Sequence, residues 1–317
     1  MAQTVSNPPA PGSIEPRDRK ATPIFDVPWP LRLWHLASFD APTVAVVWSL
    51  AFAWSAGVRL PLWIPVLLAL AAWAVYVADR LLDTRAALRA RNLLGLRERH
   101  FFHHRHRWLL APLAIAAACA AGCIVFTFMP APIRERDSVL GAAALAYFTG
   151  VHSSRGQSVR GFFGHVFYGK SPVFRPVFRK ELLVGLLFTS ACALPVFSRA
   201  AAQGSHVLWP LSAVTAFYAL LAWLNCHAID GWESEPSLSE SRISTPALIL
   251  AVAGLPVACM LPPRFAALMT AGAASALLLA LLDCFRRRLT PLALRAAADL
   301  VLLTPLALLA PPALFAR

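Results

Sequence analysis

The sequence predicts an all-α integral membrane protein, a bundle of about nine transmembrane helices around a central cavity. Three observations carry this. Of 317 residues, 58% are hydrophobic and only 14% are charged, whereas soluble domains run near 45–50% and about 25%. The apolar residues come in blocks, most of them approaching the roughly 20 helical residues that cross a bilayer core about 30 Å thick. Ala, Leu and Gly dominate those blocks, which disfavours strands and lets membrane helices pack closely. A soluble enzyme, a secreted disulfide scaffold and a disordered regulator are excluded at this level.

Residues 1–27 are rich in Pro and polar groups and lack the apolar stretch of a signal peptide. They read as a disordered cytosolic tail, and residues 28–317 as one transmembrane domain. Trp29–Leu36 mixes Trp, Leu and Arg, which suits a short helix in the headgroup layer. Nine apolar blocks follow at 41–57, 61–78, 109–129, 138–151, 182–197, 207–229, 246–262, 265–282 and 292–315. The fourth is short for a span.

Orientation follows from the basic residues. Twenty-two of the 29 Lys and Arg lie in the tail or in connections after even-numbered blocks; six lie on the opposite side, and Arg295 lies inside the ninth block. The positive-inside rule then puts the N-terminus and the even connections in the cytosol, as in a multi-pass protein of a bacterial-type inner or plasma membrane. The net charge of +13 is explained by topology and anionic headgroups, and a nucleic-acid partner is not expected. Six scattered cysteines show no metal-binding spacing. Cys119 and Cys123, four apart, read as buried small residues.

With only 16 acidic residues, their placement is informative. Asp79 and Asp83 follow the second block in VYVADRLLDTR, and Asp230 and Glu233 follow the sixth in LNCHAIDGWESE. If the second helix continues through residue 83, Asp79 and Asp83 share one face. Carboxylates so placed suit a hard divalent cation. Arg80 lies inside the first cluster and Lys180 opens the fifth block. Carboxylates, metal and cations together form a binding set for a diphosphate. The bland alternative is that these acids cap helix ends and pair with neighbouring arginines.

These motifs resemble the UbiA-type intramembrane prenyltransferase superfamily. Its members have nine transmembrane helices, an NDxxDxxxD motif after helix two and a DxxxD-like motif after helix six. Asp79 and Asp83 fall on the second and third Asp of the first motif, and Arg80 on an Arg often found between them. The leading Asn-Asp falls on Val75 and Tyr76, so the first Asp is missing. Asp230 matches the first acid of the second motif, with Glu233 or Ser234 near the later one. RKELLVGLLF resembles the start of helix five, with Glu181 where Gln is common and Gly185 on the usual Gly. The resemblance spans roughly residues 30–315.

It implies a prenyltransferase that moves an isoprenyl group from an isoprenyl diphosphate to a lipophilic or aromatic acceptor. Mg2+ would sit on Asp79, Asp83, Asp230 and Glu233, with Asp79, Asp83 and Asp230 catalytic. Tyr76, Arg80, Lys180 and Asn225 would bind substrate. The missing Asp implies altered metal dependence, an unusual substrate or lost catalysis. A degenerate member that binds a lipid or quinone is therefore the second reading. A transporter is the third, disfavoured because no matched pair of broken helices is visible.

Five further features carry expectations. The segment 97–107, RERHFFHHRHR, interleaves His100, His103, His104 and His106 with arginines, so a basic strip at the headgroups outranks a metal site. Residues 150–180 read either as a lid over the diphosphate or as a plain interfacial loop. Arg295 and Asp299, four apart, are expected to pair. Asn225 and His227 read as neighbours of the acidic site, and Asp40 and Asp283 as boundary residues only.

Overall fold

The architecture is taken from a computed structural model, which describes residues 27–89, 96–152, 177–234 and 243–309. The tail, most of the 150–180 connection and the chain's last residues fall outside this range. Helices and short 3-10 turns make up the regular structure of the described residues: α1 (Trp29–Leu36), α2 (Asp40–Ser55), α3 (Trp63–Arg89), α4 (Glu98–Arg105), α5 (Arg107–Phe128), α6 (Ala131–His152), α7 (Val177–Ala200), α8 (Ser205–Ser234), α9 (Ser244–Cys259), α10 (Pro263–Phe285), α11 (Pro291–Leu300) and α12 (Leu306–Leu309).

Over their described residues each of the nine apolar blocks contains helix, but they are not nine equal spans. Five helices, α3, α5, α7, α8 and α10, are long and apolar enough to cross a membrane, and α1 with α2 makes a sixth if counted as one broken span. At most half of the most apolar stretch of these five is buried, and for α3 and α5 only 22%. Their outer faces carry exposed Ile115, Phe126, Phe128, Leu277 and Leu281. Helix faces that leave so many large apolar side chains open are unusual for a soluble monomer.

The ninth block departs most from expectation. It breaks into α11, a 3-10 turn at Val301–Leu303 and the four-residue α12. Pro305 is the cause, because it lacks the N–H that a continuing helix needs and its ring clashes with the preceding turn. The carbonyl of Leu302 accepts from the Trp48 indole N–H at 2.8 Å. Thr304 Oγ1 donates to the carbonyl of Ala271 at 2.7 Å and lies 2.6 Å from Ser275 Oγ. The break is thus satisfied by α2 and α10.

The core forms around α2, which is apolar on all sides and buried along most of its length. Trp48 stacks on Tyr218 of α8 with centroids 3.8 Å apart, and Phe52 meets the same ring edge-on. Gly57, at φ +65, ends α2 in the left-handed conformation, and the Val58 N–H returns to the carbonyl of Ala53 at 2.9 Å. α7 and α8 pack as a close pair, as do α9 and α10. α6 stays at the periphery, largely exposed. Cys119 and Cys123 also face outward rather than inward, because α5 turns only its Leu110, Ala114, Ala117 and Ala121 stripe to the bundle.

Candidate functional site

One end of the bundle collects charged side chains from distant parts of the chain. α3 runs unbroken through residue 89, so Asp79 and Asp83 do lie one turn apart on one face. Between them, on the inward side, Arg80 is 7% exposed. Arg80 Nη1 donates to Asp79 Oδ2 at 2.9 Å, and its guanidinium lies 5.6 Å from the centroid of the Tyr76 ring.

Facing α3 is α4, from the His-rich segment. The Arg97 N–H donates to His100 Nδ1 at 3.0 Å, capping the helix, and His100 Nε2 lies 3.8 Å from Asp83 Oδ2. His103 is fully buried. Its Nδ1–H donates to the Arg99 carbonyl at 2.8 Å, and Nε2 is 3.3 Å from Ser38 Oγ. That pair fixes the neutral tautomer with the hydroxyl donating. These two histidines serve as cap and packing group. Burial lowers the pKa of His103 to about 4 and that of His100 below the ordinary 6.5.

A pH dependence follows. The unfolded imidazole of His103 protonates near 6.5 while the folded one resists until about 4. Stability is therefore complete above pH 6.5 and lost as pH falls from there toward 4, by up to about 3 kcal/mol. Thermal unfolding at pH 7.5 and 5 should show the loss, and His103→Gln should reduce it. An unchanged slope in that variant would refute the assignment.

Glu233, at the end of α8, is the hub of the site. Arg99 donates to both of its oxygens, Nη1 to Oε1 at 2.7 Å and Nη2 to Oε2 at 3.2 Å. Arg295 Nη1 donates to Oε1 at 2.8 Å. Arg97 adds a hydrogen bond to the Glu233 carbonyl. Arg295 therefore turns to Glu233, and not to Asp299 as the i,i+4 spacing suggested. Burial and the neighbouring guanidiniums of Arg295 and Arg80 push Arg99 down to about 10. The Nε atoms of Arg80, Arg99 and Arg295 are buried and have no hydrogen-bond partner.

Asn225 lies two turns earlier on α8 and donates to Asp299 Oδ1 at 3.5 Å. Asp230 is half-buried on the same helix. Lys180 lies in the first turn of α7. Among the described residues, Asp79, Asp83, Asp230 and Glu233 do not converge as a ligand set. The set that does converge is His35, Asp40 and Asp299.

Sequence reasoning passed over His35 and treated Asp40 as a boundary. Their five-residue spacing was visible, but Asp299 joins them from 259 positions beyond Asp40. Asp283 likewise does more than mark an end: it accepts from Trp232 Nε1 at 2.9 Å and from the Ser244 N–H at 2.9 Å, tying α8 and α9 to α10. Compared with family models, curated proteins and solved structures, the chain finds no match.

Proposed function

We propose that this chain is a UbiA-like integral membrane protein, its nine apolar blocks forming a bundle around a central cavity. In this reading it transfers an isoprenyl group from an isoprenyl diphosphate to a lipophilic or aromatic acceptor. One observation carries the diphosphate part. Arg80, Arg97, Arg99 and Arg295 gather at one end, Glu233 serves three of them, and three buried Nε atoms lack an acceptor. Buried guanidiniums with unused N–H groups favour a polyanion presenting several oxygens. The chain's cytosolic side, by the positive-inside rule, is this same end.

In this reading Arg80 and Arg99 hold the diphosphate, with Lys180 at the start of α7 as a further cation. Asp79 and Asp83 bring carboxylates one turn apart, the donor type Mg2+ takes, and Arg80 holds only one oxygen of Asp79 in the contact it makes there. Glu233 does not fit it as it stands, because both oxygens already accept from guanidiniums that would repel a dication. Bound Mg2+ would neutralise charge building on the leaving diphosphate. Arg80 and Arg99 stabilise that same charge as the allylic C–O bond breaks. The apolar walls keep water from the cation until the acceptor attacks it. Tyr76, in place of the family's first Asp, brings a hydroxyl but no charge.

The second reading, a lipid- or quinone-binding member without chemistry, is favoured by the arginine-bound state of Glu233. Binding of a farnesyl or geranylgeranyl thiodiphosphate, with and without Mg2+, separates the two. Prenyl transfer expects Mg2+-dependent binding that is lost in Asp79→Ala and weakened about 10–100-fold in Arg80→Ala. Binding indifferent to Mg2+ and to Asp79→Ala would establish the second reading. No binding under either condition would overturn the diphosphate site.

A further inference from the structure

The geometry points to a site for one divalent transition-metal ion, of the Zn2+, Mn2+ or Fe2+ class, built from His35, Asp40 and Asp299 and separate from the Asp79–Asp83 face. The chain makes this site by a sharp corner. α1 and α2 meet at 88°, with Ser38 between them at φ +61, a conformation that costs a non-glycine residue about 1 kcal/mol. The buried Ser38 hydroxyl against His103 holds the corner. As a result His35, in the last turn of α1, faces Asp40, the first residue of α2. Asp299 of α11 closes the third side.

The distances suit one ion. His35 Nδ1 is 2.8 Å from Asp40 Oδ2 and 3.7 Å from Asp299 Oδ2. All three ligand atoms lie within 4.8 Å of one another. A tetrahedral ion with bonds of about 2.0–2.1 Å puts its ligands about 3.4 Å apart, so small side-chain shifts suffice. Both carboxylates are already oriented for it. Asp40 Oδ1 accepts from the Ala41 N–H at 2.9 Å, and Asp299 Oδ1 accepts from Asn225. Each therefore turns its other oxygen to the imidazole, the arrangement by which outer partners aim metal ligands.

The second observation is His35 itself. It is 2% exposed; Nδ1 meets only the carboxylates of Asp40 and Asp299, and Nε2 makes no hydrogen bond. Asp40 Oδ2 is close to Nδ1 but off the direction of a ring N–H. A buried imidazole in this position loses free energy unless something else engages it. An ion on Nδ1 engages the nitrogen that faces both carboxylates.

Charge and chemistry agree with that reading. The Arg295 guanidinium bonds to Glu233, so a buried and a half-buried carboxylate face one imidazole, and a dication balances them. Mg2+ and Ca2+ favour oxygen-only shells. A nitrogen with two carboxylate oxygens suits Zn2+, Mn2+ or Fe2+. Three protein ligands leave a position for water, as in catalytic rather than structural sites. Asn225, which donates to Asp299, also has its Oδ1 buried and without a donor.

The test uses the full chain in detergent, stripped with a chelator and reloaded with Co2+ or Zn2+ in the absence of any diphosphate. The expected result is one equivalent of metal per chain, with the visible absorption of bound Co2+. Asp299→Asn and His35→Gln should lose it while eluting as the wild type does. Asp79→Asn should keep it, which separates this site from the diphosphate site. Asn225→Ala, which removes no ligand, should weaken binding about 10–100-fold and decides the matter should a ligand variant fail to fold. Wild type that takes up no metal, or full stoichiometry in Asp299→Asn and His35→Gln, would overturn the proposal.

Discussion

Glu233→Gln is expected to be among the most destabilising single changes in this protein, at about 3–5 kcal/mol. The substitution keeps size and shape and removes one charge. Arg99 and Arg295, whose side chains are 10% and 15% exposed, then face each other with no anion between them. Breaking a buried ion pair from one side costs about this much, because the remaining charge stays desolvated. Here two charges are left. The loss should appear as a lower unfolding temperature and a lower denaturant midpoint. Saturating thiodiphosphate should restore part of it, since that anion would reach the same guanidiniums and ligand binding to the folded state adds stability. A variant within about 0.5 kcal/mol of wild type would mean that Glu233 is a solvated surface group.

Gly185→Ala should cost about 1–3 kcal/mol, and Gly185→Leu more. A Cβ at this position would lie 2.9 Å from the backbone N of Trp223 and 3.1 Å from its Cα. The obstacle is backbone, so no rotamer change relieves it, and α7 and α8 must move apart. Trp223 lies two residues before Asn225, so separation would also disturb the contact between Asn225 and Asp299. The control is Gly141→Ala on the peripheral α6, where an added Cβ meets nothing within 4 Å. That change should be neutral or stabilising by up to about 1 kcal/mol, since Ala is the better helix former. Equal effects at both positions would show that Gly185 contributes only helix propensity.

The two predictions bear on the site from different sides. Glu233 holds its charges together, and Gly185 sets the distance between the helices that present them. Stability and thiodiphosphate affinity should therefore fall together in Glu233→Gln. Gly185→Ala should lower affinity only as far as the end of α8 moves.

Composition and block length were enough to determine an all-helical chain with several helices able to cross a membrane, because the cost of burying backbone in lipid leaves few alternatives. The unbroken run of α3 past Asp83 was also legible, since no Pro or Gly interrupts residues 66–89. The 3-10 break at Val301–Leu303 had a local signal in Pro305 that the hydrophobic run concealed. The exposure of Cys119 and Cys123 had none, because an apolar helix face reads alike whether it meets lipid or protein.

The partners of the charged residues were decided by tertiary structure alone. Local spacing paired Arg295 with Asp299 and grouped Glu233 with Asp230. The fold joins Arg295 and Arg99 to Glu233, and His35 and Asp40 to Asp299, across as many as 264 positions. A helix repeat specifies which residues share a face. It carries no information on which other helix that face meets, because that depends on how the whole set of apolar faces packs at once.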